Sequence, residues 1–585
     1  MPMTTADAEL RLLAEAREWA AQDPDPATKA SLLELVRLAG DGDPAARQEL
    51  EDSFRGTLQF GTAGLRAALG PGPNRMNRVV VRRAAAGLAA FLVDAVGRAA
   101  SGARPRAVVG YDARHNSDVF ALETAAIFTA AGIETFLLPE ALPTPLLAYA
   151  VRALDCDGGV MVTASHNPPQ DNGYKVYLGR HAVAPDGEGA QIVAPYDAEI
   201  AARISAVGPL ESIALATDGW TVLDGSLAAE YERATAALAM PDRFPARDLR
   251  IVLTPLHGVG GGTALDVLRS AGFTDVTVVA EQAEPDPDFP TVNFPNPEEP
   301  GALDLALEAA AKLDADLVIA NDPDADRAAV AAKDPGTGAW RMLRGDEVGS
   351  LLGAHMAARL ADGPAAGTDA DSPGVFANSI VSSRLLARIA AAAGFAHEET
   401  LTGFKWISRV PGLVYGYEEA LGYCVAPGLV KDKDGISAAV LIAELAATAK
   451  AAGRTVFDTL DELYLQHGLH ASDQLSIRVA DLGLLDAMMN RLRVSPPESF
   501  GQSAVEVFTD LAEGSGQLPP TEGLLYVTRN LTRVIIRPSG TEPKLKCYLE
   551  VIHQVGTAAE LPAARQAARA SLDEVLHDVS EALGL

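Results

Sequence analysis

Short apolar runs of strand type recur along this chain and alternate with Ala/Leu-rich segments of helical period. Ala107 to Gly110, Arg250 to Thr254, Val276 to Ala280 and Asp316 to Ala320 are four such runs. That alternation argues for parallel α/β layers. With 585 residues, a scale of about 150 residues per domain gives about four domains, enough chain for several buried cores.

The segments just after these strands carry the chemistry. Leu317-Val318-Ile319-Ala320 runs into NDPDADR, Asn321 to Arg327, with Asp322, Asp324 and Asp326 at every second position. Carboxylate oxygens are the ligands hard cations prefer, and a tight turn at a strand end can converge three of them on one ion. A calcium-binding EF-hand loop begins with a similar alternation but needs Gly at its sixth place and Glu at its twelfth. Here those places hold Arg327 and Lys333. A basic residue beside the carboxylates points instead to an anionic substrate sharing the site with a metal.

A second run, TASHNPPQDNGYKVY from Thr163 to Tyr177, comes directly after Gly158-Gly159-Val160-Met161-Val162. Pro168 and Pro169 prevent a helix from forming there, so Ser165 is expected in an irregular loop beside His166 and Asn167, where its hydroxyl could carry a phosphoryl group. A third run, RPSGTEPK from Arg537 to Lys544, joins the strand-like segments Thr532 to Ile536 and Leu545 to Val551. Arg537 offers a planar fork, Ser539 and Thr541 offer hydroxyls, Gly540 allows close approach of backbone amides, and Lys544 adds charge. The set reads as a phosphate cradle.

Together with GYEEALGY (Gly416 to Tyr423) and FGTAGLR (Phe60 to Arg66), these runs resemble, in order, the signatures of the α-D-phosphohexomutases. TPLHGVGG (Thr254 to Gly261) and TGFKWI (Thr402 to Ile407) resemble the phosphoglucomutase and phosphopentomutase branch. The resemblance implies a four-domain α/β architecture around a central cleft, with three α/β sandwiches and a smaller C-terminal α+β domain. The expected divisions are 1–235, 236–338, 339–468 and 469–585. It also implies an isomerase that moves phosphate within a sugar through a phosphoserine and a bisphosphorylated intermediate. Interconversion of glucose 1-phosphate and glucose 6-phosphate is the leading expectation. Phosphomannomutase, phosphopentomutase, a synthase of the bisphosphate activator, a metal-dependent phosphatase and a catalytically silent sugar-phosphate sensor are the alternatives.

Residue by residue, the resemblance implies Mg²⁺ on Asp322, Asp324, Asp326 and a phosphoserine oxygen of Ser165. Glucose 1,6-bisphosphate, or the matching sugar bisphosphate, is the implied activator. Arg66 and Lys175 are implied at the catalytic centre, with His166 orienting the Ser165 loop, and the proton donor and acceptor are left open among the three. Arg327, Lys405, Glu418 and Glu419 would contact substrate, and Arg537, Ser539, Gly540, Thr541 and Lys544 its phosphate. Many hexomutases have a serine where Ala420 stands, so one sugar contact is missing here. The glycines of TPLHGVGG would allow a tight strand-to-helix connection, with His257 a candidate substrate contact, and Trp406 would buttress its loop or, by preference, pack into the core. Domain closure is expected about a hinge near Leu465 to Ser472.

Against 48 Lys and Arg stand 78 Asp and Glu, a net charge of −30. That balance opposes nucleic-acid and anionic-membrane binding, and it requires cations gathered locally if a sugar phosphate is to bind. Arg66, Lys175, Arg327, Lys405, Arg537 and Lys544 are the candidates. Cys156, Cys424 and Cys547 have no metal or redox spacing and are expected to be buried thiols in a reducing cytoplasm. The N-terminus lacks a signal pattern and no apolar stretch approaches the roughly 20 residues of a membrane span, so a soluble monomer or homodimer is expected. Met1 to about Ser53 reads as helices broken near Asp23 to Pro26. The stretches Ala361 to Ser372 and Gly514 to Glu522 read as surface loops.

Overall fold

A computed structural model of the chain describes residues 5–61, 64–100, 102–361, 374–479, 482–516, 518–538 and 544–584. Two compact units are present, Met1–Ala331 with Ala426–Ala443, and Ala332–Val425 with Glu444–Leu585.

The first unit opens with helices α1 (Thr5–Gln22), α2 (Pro26–Gly40) and α3 (Pro44–Ser53). The break falls where expected. Asp25 and Asp43 cap the second and third helices by accepting from Ala27 N and from Ala45 and Ala46 N, each preceding a proline that needs no partner for its missing N–H. Leu13, Ala16, Leu32, Val36 and Leu50 form the small core of this extension. It braces the segment before the Arg78–Ala99 helix, where Asn74 N donates to Ser53 O at 3.0 Å and Arg78 Nη1 to Pro24 O at 3.2 Å.

Two sheets carry the rest of this unit. In the first, β1 (Gly64–Ala68), β2 (Arg106–Tyr111), β3 (Glu134–Leu137), β4 (Gly158–Val162), β5 (Asp171–Leu178) and β6 (Thr221–Val222) lie in the order β1-β5-β4-β2-β3-β6. Strands β4, β2, β3 and β6 are parallel, and β5 and β1 are antiparallel additions. In the second, β7 (Ile251–Thr254), β8 (Val276–Val278), β9 (Leu317–Asn321) and β10 (Ala328–Lys333) take the order β10-β9-β7-β8, with β9, β7 and β8 parallel and β10 antiparallel. The expectation of parallel α/β layers holds, with antiparallel strands at one edge of each sheet.

Alternation along β5 decides which side chains reach the site. Tyr174, Val176 and Leu178 enter the core that Leu88, Leu92 and Phe128 share, so Lys175 and Tyr177 point to the opposite face.

In the second unit, β11 (Trp340–Met342) precedes a mixed sheet of β12 (Val375–Ser379), β13 (Ala396–Thr400), β14 (Leu413–Glu418) and β15 (Gly422–Cys424), ordered β13-β12-β14-β15. The last sheet is antiparallel: β16 (Leu469–Arg478), β17 (Ser499–Phe500), β18 (Ser503–Asp510), β19 (Leu524–Thr528), β20 (Arg533–Pro538) and β21 (Lys544–His553), ordered β16-β21-β20-β19-β18-β17. The Leu561–Leu583 helix covers it through Leu572, Val575 and Val579. Buried Glu550 of β21 joins the two sheets by accepting from Ser383 Oγ at 2.7 Å, Arg384 Nε at 2.5 Å and His470 Nδ1 at 3.1 Å. Leu465 to Ser472 spans the end of the Val456–His467 helix, Gly468 and the start of β16. A cleft of about 800 Å³ in this unit is lined by Arg341, Arg344, Arg565 and Arg569, each already paired with Glu347, Asp473 or Asp461.

All three cysteines are buried free thiols, as expected. Trp406 is half-buried, whereas its neighbours Phe404 and Ile407 enter the core, a correction to the preferred core placement of the tryptophan. The short Phe404–Ile407 helix turns those two side chains inward and leaves the indole at its rim. Glu418 ends β14, and Glu419 to Leu421 form the turn into β15. Ala361 ends the Gly345–Leu360 helix, and the remainder of the loop expected at Ala361 to Ser372 lies outside the described residues. Among the described residues, no single helix is long and apolar enough to cross a membrane.

Candidate active site

In the first unit, the chain leaves β4 and turns sharply at Ser165, whose φ of 53° lies in the left-handed region. For a side chain with a Cβ that conformation costs on the order of 1–3 kcal/mol, so the surroundings must hold it. Thr163 Oγ1 accepts from Ser165 N at 2.9 Å, and Asn167 N donates to Ala164 O at 3.1 Å. The result aims the hydroxyl at the acidic loop after β9: Ser165 Oγ donates to Asp322 Oδ2 at 2.7 Å, with His166 Nδ1 at 3.3 Å.

That acidic loop is held through its backbone by three other segments. Val259 N donates to Pro323 O at 2.8 Å, Thr144 N to Asp324 O at 2.9 Å, and Gly435 N to Ala325 O at 3.2 Å. Within the loop, Ala325 N donates to Asp322 O at 2.8 Å, and Asn321 Nδ2 closes the base on Arg327 O at 2.7 Å. The carbonyls from Asp322 to Ala325 are thereby satisfied although the loop is buried, as buried backbone requires. The glycines of TPLHGVGG serve this approach. A Cβ on Gly258 would lie 2.3 Å from Pro323 Cα, and one on Gly260 would lie 2.5 Å from Ala325 Cβ. His257 is buried and bonded to Thr291 Oγ1 at 2.9 Å, within the expected strand-to-helix turn.

Asp322, Asp324 and Asp326 are essentially inaccessible to solvent, and one oxygen from each lies within 4.8 Å of the others. Lys175 Nζ donates to Asp324 Oδ2 at 2.6 Å and Asp326 Oδ2 at 2.8 Å, Lys433 Nζ lies 3.0 Å from Asp326 Oδ2, and Arg327 N donates to Asp322 Oδ1 at 3.1 Å. Burial and the two neighbouring carboxylates push Asp322 well above the usual range. Burial acts the same way on Asp326, but Lys175, Lys433 and Arg327 override it and hold that carboxyl below the usual range. Asp324, also buried and beside Asp326, is likewise brought low by Lys175.

Asp324 Oδ1 and Asp326 Oδ1 are buried without a hydrogen-bond partner. An orphaned anionic oxygen in such a place costs several kcal/mol unless a cation completes it. Together with the all-oxygen donor set, these two atoms fit a hard divalent ion.

Arg66 stands on β1, which pairs with β5 so that Arg66 faces Gly173, and its Nη1 donates to Asn167 Oδ1 at 3.2 Å. Thr62 and Ala63 of FGTAGLR lie outside the described residues. Ser165, His166, Lys175, Arg66, Arg327 and the three aspartates are therefore brought together within one unit.

The second unit carries the other expected contacts. Glu418 ends β14, and Leu421 in the adjoining turn has φ 64°. Glu419 Oε2 accepts from Ser379 Oγ at 3.0 Å and Ser382 Oγ at 2.9 Å, while its own N donates to Ser382 Oγ at 3.1 Å. Glu419 is thus engaged in fixing the turn. Lys405 sits half-buried in the Phe404–Ile407 helix. Arg537 on β20 and Lys544 at the start of β21 flank Ser539, Gly540 and Thr541, which lie outside the described residues. Burial and then the charge of Glu419 push the Tyr548 phenol on β21 up, against the opposing effect of Arg537.

Sequence reasoning missed three side chains in the first site. Thr144 donates its hydroxyl to Asp324 Oδ2 at 2.6 Å, Lys433 pairs with Asp326, and Arg114 underlies the Ser165 loop. Lys433 left a signal in the charge alternation KDKDG, Lys431 to Gly435, directly before an apolar helix. Thr144, in a PTP run opening a helix, left none.

Comparison with known proteins matches four stretches to the domains of one family. Residues 57–203 match phosphoglucomutase/phosphomannomutase alpha/beta/alpha domain I, 229–337 domain II, 344–466 domain III, and 501–565 the C-terminal domain. The chain is 46% identical to the "Probable phosphomannomutase" of Haemophilus influenzae, over 81% of this chain and 93% of that protein. It is 32% identical to the phosphopentomutase of Mus musculus (94% and 92%) and 34% identical to the phosphoglucomutase of Staphylococcus haemolyticus (86% and 91%). Three α/β domains and a C-terminal domain in this order, with relatives of 32–46% identity along most of the chain, make the chain a member of the phosphoglucomutase/phosphomannomutase family, the α-D-phosphohexomutases, and an isomerase of the phosphosugar mutase kind.

Proposed function

We propose that this mutase interconverts glucose 1-phosphate and glucose 6-phosphate through a phosphoserine at Ser165. The observation that carries the reading is the Ser165 hydroxyl 2.7 Å from Asp322 inside a buried carboxylate triplet. Asp322, Asp324, Asp326 and a phosphoserine oxygen would hold Mg²⁺, which when bound neutralises charge on the phosphoryl oxygens.

The sugar phosphate enters with its existing phosphate held by Arg537, Ser539, Gly540, Thr541 and Lys544, and with ring hydroxyls donating to Glu418 at the turn after β14. Glu419, fixed by two serines, shapes that turn. A free sugar hydroxyl attacks the phosphorus on Ser165: the new P–O bond forms, the P–Oγ bond breaks, and the hydroxyl proton passes to a nearby base. His166, Lys175 and Arg66 are the candidates for proton transfer, and the 3.3 Å separation of His166 Nδ1 from Ser165 Oγ suits His166 to supplying a proton to the leaving oxygen. Arg66 and Arg327 steady the transferring group. The bisphosphorylated sugar turns end for end, and the reverse transfer restores phosphoserine and releases the isomer. Glucose 1,6-bisphosphate is the matching activator.

A second reading, a phosphopentomutase, is supported by Ala420, which withdraws one hydroxyl from the sugar turn, and by the similarity to the mouse phosphopentomutase. Side-by-side turnover of glucose, mannose, ribose and deoxyribose 1-phosphates decides between them. Product coupled to glucose-6-phosphate dehydrogenase should report the glucose reaction, and Ser165→Ala should remove both turnover and the phosphate seen by intact-mass spectrometry. Undiminished turnover in that variant would reject the phosphoserine route.

A further inference from the structure

We propose that Arg114 is a positioning residue for Ser165, its guanidinium holding the Thr163–Asp171 loop in the backbone conformation that presents the hydroxyl to Asp322. The inference rests on the reading of Ser165 as the phosphoryl carrier.

Arg114 is buried, and its two terminal nitrogens donate to four backbone carbonyls of this one loop. Nη2 reaches Ser165 O at 2.6 Å and Asn167 O at 2.5 Å, and Nη1 reaches Pro168 O at 2.8 Å and Asp171 O at 3.1 Å. A loop that turns these carbonyls inward concentrates their negative ends, and its Ser165 is in the left-handed region besides. Neither feature is stable by itself. A planar cation with donors spread over a fork offsets both, and a lysine ammonium, a point charge, cannot span the same four acceptors.

The fork is fixed from behind and above. Asp112 Oδ2 lies 3.4 Å from Nε, and Asp112 Oδ1 accepts from Arg114 N at 3.0 Å and Ser117 Oγ at 2.7 Å. The ring of Phe289, from the stretch between β8 and β9, covers the guanidinium at 5.0 Å. Phe289 belongs to the matched domain II and Arg114 to domain I, so the contact ties the serine loop to the domain that supplies the aspartates.

The test compares Arg114→Lys with the parent protein for cooperative melting, turnover and deuterium exchange of residues 163–171. Misplacement of a reacting atom by about 1 Å costs about 100-fold in rate, so kcat should fall by about that factor while KM for the sugar phosphate stays within about threefold. Exchange at 163–171 should quicken by about tenfold or more as the loop loses its anchor. A kcat within about threefold of the parent overturns the proposal, as does unchanged exchange. If Arg114→Lys does not fold, Phe289→Leu decides: a fall in kcat of roughly 3–10-fold at constant KM supports the proposal, and an unchanged kcat overturns it. Parent protein that turns over yet never carries phosphate on Ser165 would overturn the carrier role alone, because quickened exchange in Arg114→Lys reads the anchoring independently.

Discussion

Asp326 Oδ2 is shared by two ammonium groups, Lys175 at 2.8 Å and Lys433 at 3.0 Å. Both lysines are raised above their ordinary value: burial opposes this, but Asp324 and Asp326 prevail for Lys175, and Asp326 and Asp432 for Lys433. They therefore remain cations and compete with a metal for the same oxygens. Removing one should favour the metal. Lys433→Met is expected to bind Mg²⁺ more tightly, by roughly 3–10-fold for a partly screened close pair, with isothermal titration as the measurement. Weaker binding would mean that Lys433 builds the carboxylate geometry instead of competing for it. Lys175 could be proposed from sequence because it lies ten residues after Ser165 in a recognisable run, whereas Lys433 reaches Asp326 from more than a hundred residues downstream. Local pattern marks which residue types suit a cation. It does not record which distant lysine the fold delivers.

Strand-to-loop elements were the most legible part of this chain. Apolar runs ending in Pro- and Gly-rich turns have few conformations open to them, which is why the ends of β4, β9 and β20 fell close to where the sequence put them. The roles of glycines at the turn after β7 were less legible, since what a missing Cβ accommodates is a neighbour supplied by tertiary packing. Gly258→Ala tests this. Its Cβ would meet the Pro323 backbone, and overpacking of that kind costs about 1–3 kcal/mol. The melting temperature should fall and Mg²⁺ binding should weaken together, as measured by scanning calorimetry and titration. Loss of neither would show that the acidic loop yields without consequence.

A second element-scale prediction concerns β13. His397 bonds Asn378 Oδ1 at 2.8 Å, and burial pushes it down to about 4. In the unfolded chain a histidine titrates near 6.5. Below that pH the unfolded chain takes a proton that the folded strand refuses until about 4, so stability is lost as pH falls through this window. Glu550, held below the usual range against its own burial by Arg533, His470 and Arg384, works in the same direction only below the ordinary carboxylate range. Melting temperatures measured from pH 7 down to about 4.5 should therefore fall less steeply in His397→Gln than in the parent. Parallel curves would show that the half-buried imidazole accepts its proton without cost.

At the scale of the molecule, a net charge of −30 makes the binding of an anion depend on cations gathered locally. Around the carboxylate triplet these are Arg66, Lys175, Arg327 and Lys433, all in the first unit. Besides Val259 of the turn after β7, the triplet depends on pieces from four distant parts of the sequence: Thr144, the Ser165 loop, the turn at 321–327, and the start of the Gly435–Ala451 helix. All four fall in the first unit, with the helix contributing its residues through Ala443. They interlock through Thr144 N to Asp324 O and Gly435 N to Ala325 O, so a ligand that orders the aspartates should order the other pieces with them. Saturating Mg²⁺ is thus expected to slow amide exchange at 144–147, 163–171, 321–327 and 433–438 together, and to leave β12 to β15 unchanged. Protection confined to 321–327 would show that the acidic turn binds its ion by itself and that the contacts from Thr144 and Gly435 carry no coupling.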